Sequence, residues 1–351
     1  MSGVKVEFRR QCQVADGSGT GLEDSQVTII DAPMPHPKPG EVLIEVKFLS
    51  IDPAQRLYMD RSSFLSQSRN RKSVILSPGD VVRAWGVGRV IASGSERFPA
   101  GSFVADLMGD MGIQTHSLLP AEGLVSVDPA TASLSTYLGI LGMPGLTAYA
   151  GMVDVGQPKP GEQVVVSGAA GSIGSIAGQI AKKLGCRVVG IAGGPEKRQF
   201  VEHVLGFDSC IDHRQGDVAD RLAELCPDGI DIYFDNVGGE ILDACLLNMA
   251  LRGRIVGCGF MSGYGGTPVP IRNYLHLLPR QVKWECISYY NLARDPQAYC
   301  AARGRLSAWH AEGAFAHPEI LCSGIENFMP ALRRVYEGGT IGKVLLVLDE
   351  G

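Results

Sequence analysis

The sequence predicts an α/β protein: a doubly wound parallel sheet joined to a second, barrel-like β domain. Three observations predict it. Apolar strands alternate with helical patterns from about residue 163 to 257. One of those strands runs into a glycine-rich turn that opens a helix. The first 125 or so residues carry short β-branched runs punctuated by Pro and Gly instead.

The β-rich part comes first. Val27–Ile30, Glu41–Phe48, Gly86–Ala92 and Ser102–Leu107 read as strands, separated by breakers such as Pro39-Gly40 and Pro78-Gly79. Asp60–Val74, with Arg61, Arg69, Arg71 and Lys72, reads as a polar loop or irregular helix. From Thr131 to Gly151 the pattern is helix, a break at Pro144-Gly145, then helix. Gln163–Ser167 is a continuous apolar strand, and Ser172–Leu184 repeats apolar residues at helical spacing. Strands follow at Arg187–Ala192, Ser209–Ile211, Ile230–Phe234 and Arg254–Gly257, with helices at Glu196–Val204, Val218–Leu225 and Glu240–Met249 between them. Buried strands alternating with helices imply a parallel sheet covered on both faces. Ala331–Tyr336 reads as a helix. Lys343–Leu348 is a strand that could complete either domain.

Composition narrows the function classes. The 351 residues suggest two domains. With 45% hydrophobic and 20% charged residues, a disordered chain is excluded. A net charge of −5 without a basic block argues against a nucleic-acid binder. Nine cysteines, an odd number with no C-x-x-C, argue against a disulfide framework or a thiolate zinc site. The start, MSGVKVEFRRQC, lacks an apolar signal region. Val164–Ala181 is too rich in Gly and Ser to be a membrane span. A reduced, cytoplasmic protein is the simplest expectation.

The chemistry concentrates at Ala169-Ala170-Gly171-Ser172-Ile173-Gly174, a variant of G-x-G-x-x-G with Ala first. Gly171 allows close approach of a pyrophosphate, Gly174 allows the helix to pack on the strand, and the helix N-terminus supplies free N–H groups. With further strand–helix units following, this is a dinucleotide site rather than a packing turn. An NAD site wants a carboxylate at the end of the second strand. Here that strand ends in Gly193-Gly194, followed by Lys197 and Arg198, and His213-Arg214 follows the third. This favours the 2′-phosphate of NADPH. Glu196 serves a ribose hydroxyl or a helix N-terminus. Cys12, His36 and His116 of the β domain form no ligand cluster, so no metal site is expected. Neither H-E-x-x-H nor a complete G-x-S-x-G elbow occurs.

Several strings together resemble the zinc-independent medium-chain dehydrogenase/reductase family, in its prostaglandin reductase, curcumin reductase and alkenal double-bond reductase group. They are the Met143-Pro144-Gly145-Leu-Thr147-Ala-Tyr149 run, the glycine loop continuing to Lys182, Ala192-Gly-Gly-Pro-Glu-Lys197, Tyr233-Phe-Asp235-Asn236-Val-Gly238-Gly239 and Gly253-Arg-Ile-Val-Gly-Cys258-Gly259. Ser50-Ile-Asp52-Pro53 and Gly342-Lys343 also fit. The resemblance implies a GroES-like catalytic domain over 1–130, a Rossmann domain over 131–309 and a return to the catalytic domain over 310–351. It implies NADPH-dependent reduction of the carbon–carbon double bond of α,β-unsaturated ketones or aldehydes without zinc.

The resemblance also implies residue roles. Lys197 takes the 2′-phosphate, and His213 stands where the family has a tyrosine packed on it, with Arg214 beside it. Asn236, Cys258, Gly259, Phe260 and Ser262 lie by the cofactor. Met143 and Thr147 surround the nicotinamide, with Ile287, Ser288 and Tyr289 as a bordering strand. Tyr264 hydrogen-bonds the substrate oxygen or delivers a proton, in competition with a cofactor ribose hydroxyl. Ala54-Gln55-Arg56 replaces the family Tyr-Met-Arg, and Thr340 replaces an asparagine. Asp52 and Arg56 pair internally. Tyr58, Met59 and Phe64 line a substrate pocket or pack the barrel. The edge strand Val282–Tyr289 implies a homodimer. Quinone reduction and a redox-inactive NADPH-binding protein are the alternatives.

Overall fold

A computed structural model describes residues 8–16, 22–63, 65, 75–265 and 269–348. The first described elements are β1 (Phe8–Val14), β2 (Val27–Pro33), β3 (Glu41–Ile51), the short helix α1 (Ala54–Met59), β4 (Gly86–Ser93), β5 (Phe103–Asp106), β6 (His116–Pro120) and β7 (Leu124–Ser126). The alternating part is α2 (Met143–Tyr149), β8 (Gln163–Ser167), α3 (Ser172–Lys183), β9 (Arg187–Ala192), α4 (Pro195–Gln199), β10 (Ser209–Asp212), α5 (Val218–Leu225), β11 (Ile230–Asp235), α6 (Gly239–Leu247) and β12 (Met249–Gly257). There follow α7 (Leu277–Arg280), β13 (Lys283–Cys286), α8 (Tyr289–Ala293) and α9 (Pro296–Ala311). The chain then forms β14 (Glu319–Ser323), α10 (Phe328–Tyr336) and β15 (Lys343–Val347).

These elements make two compact units. One comprises Met1–Leu138, Glu319–Gly339 and Val344–Gly351; the other comprises Gly139–Pro318 and Thr340–Lys343. In the first, a seven-stranded sheet runs β14-β15-β3-β4-β5-β7, with β6 also on β3. The pairs β15–β3, β3–β4, β3–β6, β4–β5 and β5–β7 are antiparallel, with β15 meeting β3 through Val344–Ile51 and Val347–Phe48. The last strand therefore belongs to this sheet. Val42, Ile44, Leu49, Met111, Phe328 and Leu332 fill the core beneath it. Tyr58 and Met59 are buried in that same core. Phe64, Arg69, Arg71 and Lys72 lie outside the described residues.

The second unit holds a six-stranded sheet in the order β10-β9-β8-β11-β12-β13, parallel throughout. Reading outward from β8, this is the doubly wound order, with its reversal beside β8. The central strands are fully buried, as a sheet covered on both faces requires: Val164, Val165, Val166, Val188, Val189, Tyr233 and Phe234 are inaccessible.

Three sequence expectations need correction. Pro144-Gly145 does not break a helix but starts one. Gly142 is the extended residue before α2, Pro144 sits in the first turn where no N–H is needed, and Leu134–Leu138 ahead of it is a 3-10 turn. Gly145 is required there because a Cβ would stand 1.8 Å from the Ile140 carbonyl oxygen. Secondly, Ile287, Ser288 and Tyr289 are not a strand: β13 stops at Cys286, and Tyr289 opens α8. Thirdly, β12 begins at Met249, five residues before the predicted Arg254, across a bulge against β11 between Ile230 and Ile232. Arg252 adopts φ +60° in that bulge.

Candidate cofactor site

Because the sheet is parallel, the segments after β8, β9, β10, β11, β12 and β13 all emerge at one edge. That edge is where doubly wound sheets bind ligands. The structure thereby brings together the loop 169–174, Gly193, Lys197, His213, Asn236, the 258–264 segment and residues 287–289.

The glycine loop has the shape a phosphate requires. Gly168 turns with φ +61°, and Gly171 is extended before α3 begins at Ser172. A Cβ on Gly174 would stand 2.3 Å from the Gly168 carbonyl oxygen, so only glycine lets α3 come this close to β8. The amides of Ser172, Ile173 and Gly174 start the helix and have no intrahelical acceptor. Ser172 Oγ is buried with no hydrogen-bond partner among the described residues. An orphaned hydroxyl beside amides that have no acceptor within the helix fits a pyrophosphate, although the chain at Gly342 bridges to Gly171 at its first turn. Ala169 and Ala170 are buried, and the Ala170 carbonyl accepts from the Gly342 amide at 2.8 Å.

The next corner is cationic. Asp212, at the end of β10, accepts through Oδ1 from the amides of Gly194 at 2.8 Å and Arg214 at 3.1 Å. Those donors hold its carboxyl below the usual range. The carboxylate thus fixes the turn. Lys197 is lowered by burial and then by the Arg214 charge. His213 is lowered by burial, then Arg214.

The turn after β11 is built on Asp235, which is fully buried. Its Oδ1 accepts from Ser167 Oγ at 3.0 Å, Tyr233 Oη at 2.8 Å, and the amides of Val237 at 3.0 Å and Gly238 at 2.8 Å. Burial raises this carboxyl against those four donors. Asn236 donates its amide to Ser167 Oγ at 2.9 Å and its Nδ2 to the Ser167 carbonyl at 2.7 Å, so it is locked to the end of β8. Cys258 and Gly259 both donate backbone amides to the Asp235 carbonyl. Sequence pattern does not single out Asp235 or Asp212. Their signal is position alone, a carboxylate ending an apolar strand.

Other expected residues already have protein partners. Ser262 Oγ donates to the Val237 carbonyl at 2.7 Å, which makes it a clamp on the Asn236 turn. Thr147 Oγ1 donates to the Met143 carbonyl at 2.7 Å within α2. Phe260 packs edge-on to Trp284 at 6.4 Å. Ile287 donates its amide to the Gly257 carbonyl at 2.9 Å. Tyr264 Oη accepts from the Phe260 amide at 3.4 Å, and burial raises its phenol above the usual value. Cys12 is buried in the first unit's core and His36 is exposed. Among the described residues no three His, Cys, Asp or Glu side chains gather as metal ligands. No helix there is long and apolar enough to cross a membrane.

Comparison with known proteins decides the family. A model described as "Zinc-binding dehydrogenase" matches residues 172–301, and one described as "N-terminal domain of oxidoreductase" matches 11–127. The NADPH-dependent curcumin reductase of Escherichia coli (strain K12) is 36% identical over 88% of each chain. The chain belongs to the medium-chain dehydrogenase/reductase family. It is an oxidoreductase with that family's two-part architecture. The 2-alkenal reductase (NADP(+)-dependent) of Nicotiana tabacum is 35% identical, again over 88% of each chain. Among solved structures, CurA from Vibrio vulnificus in complex with NADPH aligns with TM-score 0.87 and 34% identity, covering 97% of this chain and 100% of that one.

Proposed function

We propose that this oxidoreductase reduces the carbon–carbon double bond of α,β-unsaturated ketones and aldehydes. The observation that carries the reading is the cofactor edge: a glycine cradle at α3, followed by a second strand that ends in glycines and cations rather than a carboxylate. NADPH is the cofactor, and when bound it supplies the hydride for the substrate β-carbon. The relatives' names, curcumin reductase and 2-alkenal reductase, point to the same acceptor class.

The protein's part is binding, orientation and charge stabilisation. The amides at the start of α3 and Ser172 Oγ would hold the pyrophosphate, and Lys197 the 2′-phosphate. Asn236, fixed from Ser167, shapes the wall beside Cys258 and Gly259. As the β-carbon accepts hydride, negative charge develops on the carbonyl oxygen, and a donor there favours the transition state over the ground state. Tyr264 is assigned that role. Its phenol is kept protonated by burial, as a donor requires.

A homodimer and a cytoplasmic setting belong to the same reading. β13 ends its sheet, all four of its residues are exposed, and Leu251, Leu275 and Leu278 nearby are 66%, 66% and 82% exposed. An open strand edge flanked by exposed leucines suits pairing with a second copy. All nine cysteines are free thiols, as a reducing compartment maintains.

The test is consumption of NADPH and NADH with a medium-chain enone, with a quinone in parallel and product analysis. The reading expects oxidation of NADPH, little of NADH, and the saturated ketone as product. Turnover with quinone alone would move the assignment to quinone reduction, and NADPH binding without turnover would make this a binding protein.

A further inference from the structure

The corner between β9 and β10 holds more positive charge than one lysine supplies. A Cβ placed on Gly193 would stand 2.8 Å from His213 Nε2 and 2.9 Å from Arg214 Nε; one on Gly194 would stand 3.7 Å from an Arg214 terminal nitrogen. Both heads therefore lie over the glycine turn that leads into α4, where Lys197 stands. Arg214 is close enough to act on Lys197, and both act on His213.

The acids nearby do not neutralise the corner. Asp212 faces His213, but its Oδ1 already accepts two backbone amides. Glu196 faces Lys197. Among the described residues, neither the Lys197 nor the Arg214 side chain makes a hydrogen bond or ion pair. The groups acting on His213 are Arg214 and Asp212 on its own segment, its own backbone and, from α4, Lys197. Burial and the two cations press the ring towards its neutral form. The arrangement is complementary to a dianion.

We propose that Arg214 and His213 complete, with Lys197, a three-cation pocket for the 2′-phosphate, in which His213 binds as its imidazolium and NADPH binding carries a proton into the protein. The proposal rests on the NADPH reading above and adds to it how the phosphate is recognised. The proton balance is simple: solvent supplies one proton to the imidazole, and the phosphate dianion holds it there. Linkage then makes affinity for the phosphorylated cofactor rise as pH falls, by up to about tenfold per pH unit for one proton. A dinucleotide without the 2′-phosphate has nothing to hold that proton.

The experiment is calorimetry on the full chain at neutral pH with 2′,5′-ADP and 5′-AMP, in two buffers of different ionisation enthalpy, which counts protons taken up on binding. Wild type, His213→Phe, His213→Gln and Arg214→Ala are compared after circular dichroism confirms that each is folded. The expected result is proton uptake by wild type with 2′,5′-ADP that neither His213 variant shows, and none with 5′-AMP. Arg214→Ala should weaken 2′,5′-ADP by roughly tenfold or more and leave 5′-AMP unchanged, as loss of a hydrogen bond to a charged group implies. Equal proton uptake by wild type and both His213 variants overturns the proton-linked pocket, as does equal weakening of both ligands in Arg214→Ala. Failure of wild type to prefer 2′,5′-ADP over 5′-AMP overturns the NADPH reading itself, and the pocket with it.

Discussion

Gly178, in the middle of α3, lies against the ring of Phe207: a Cβ on the glycine would stand 1.9 Å from Cζ. The helix that carries the glycine loop is therefore seated on an aromatic ring that only a missing side chain admits. Gly178→Ala should destabilise the protein by about 1–3 kcal/mol through overpacking. Phe207→Leu in the same chain should recover part of that loss, because the two residues share one space. Denaturant melts of the two single variants and the double variant measure the coupling, and strict additivity would contradict it.

Gly174 meets backbone, which cannot turn aside as a ring can. Gly174→Ala sets a methyl 2.3 Å from the Gly168 carbonyl oxygen and must push α3 away from β8. The expected outcome is a lower melting temperature together with NADPH affinity reduced by an order of magnitude or so, because the amides aimed at the pyrophosphate move with the helix. Cofactor titration by fluorescence checks this; unchanged affinity in a folded variant would detach Gly174 from the cofactor.

Tyr264 gives a kinetic expectation with a pH signature. Tyr264→Phe should lower kcat on an enone by roughly a hundredfold, within the range for loss of a proton donor, and leave NADPH affinity unchanged. Burial raises the phenol above its ordinary value of 10.0, so it stays protonated across the neutral and mildly alkaline range. Wild-type kcat should accordingly show no loss from this group below about pH 10. A full rate in the phenylalanine variant removes Tyr264 from the chemistry.

His317 gives a stability expectation. Burial, with Lys343 beside it, pulls its imidazole from 6.5 down to about 4, and Nε2 has no partner among the described residues. Between those two values the unfolded chain binds a proton that the folded chain refuses. The contribution of His317 is therefore complete above pH 6.5 and is lost as pH falls towards 4. The slope is at most about 1.4 kcal/mol per pH unit. Melting temperatures from pH 4.5 to 7 should show a shallower acid decline in His317→Phe than in wild type.

How much the sequence reveals depends on whether a signal is local. The β8-turn-α3 unit is legible because Val164–Val166, Gly171 and Gly174 each serve a requirement met within a dozen residues. The sequence pattern does not reveal α9, although Asp295 caps it through the amides of Gln297 and Ala298. Its buried residues, Tyr299, Ala302, Leu306 and Trp309, keep helical spacing, but arginines and alanines between them blur the polar face. Pro144 misleads because a proline that ends one helix and a proline that begins another look alike until the extended Gly142 is seen. In the site, Lys197 is legible from the glycines before it. Asp235 is not, because its role comes from Ser167 and Tyr233, partners that only the folded sheet supplies.

The bond from the Gly342 amide to the Ala170 carbonyl has a consequence for biosynthesis. Residue 170 emerges from the ribosome long before residue 342, so the glycine loop is made early but lacks this bond until the chain has nearly reached β15. Contacts this distant along a chain close late in folding. A nascent chain arrested before Gly342 can fold its sheet strand by strand and still present a loop with one carbonyl unsatisfied. Competence to bind the dinucleotide should therefore wait until Gly342 has been made.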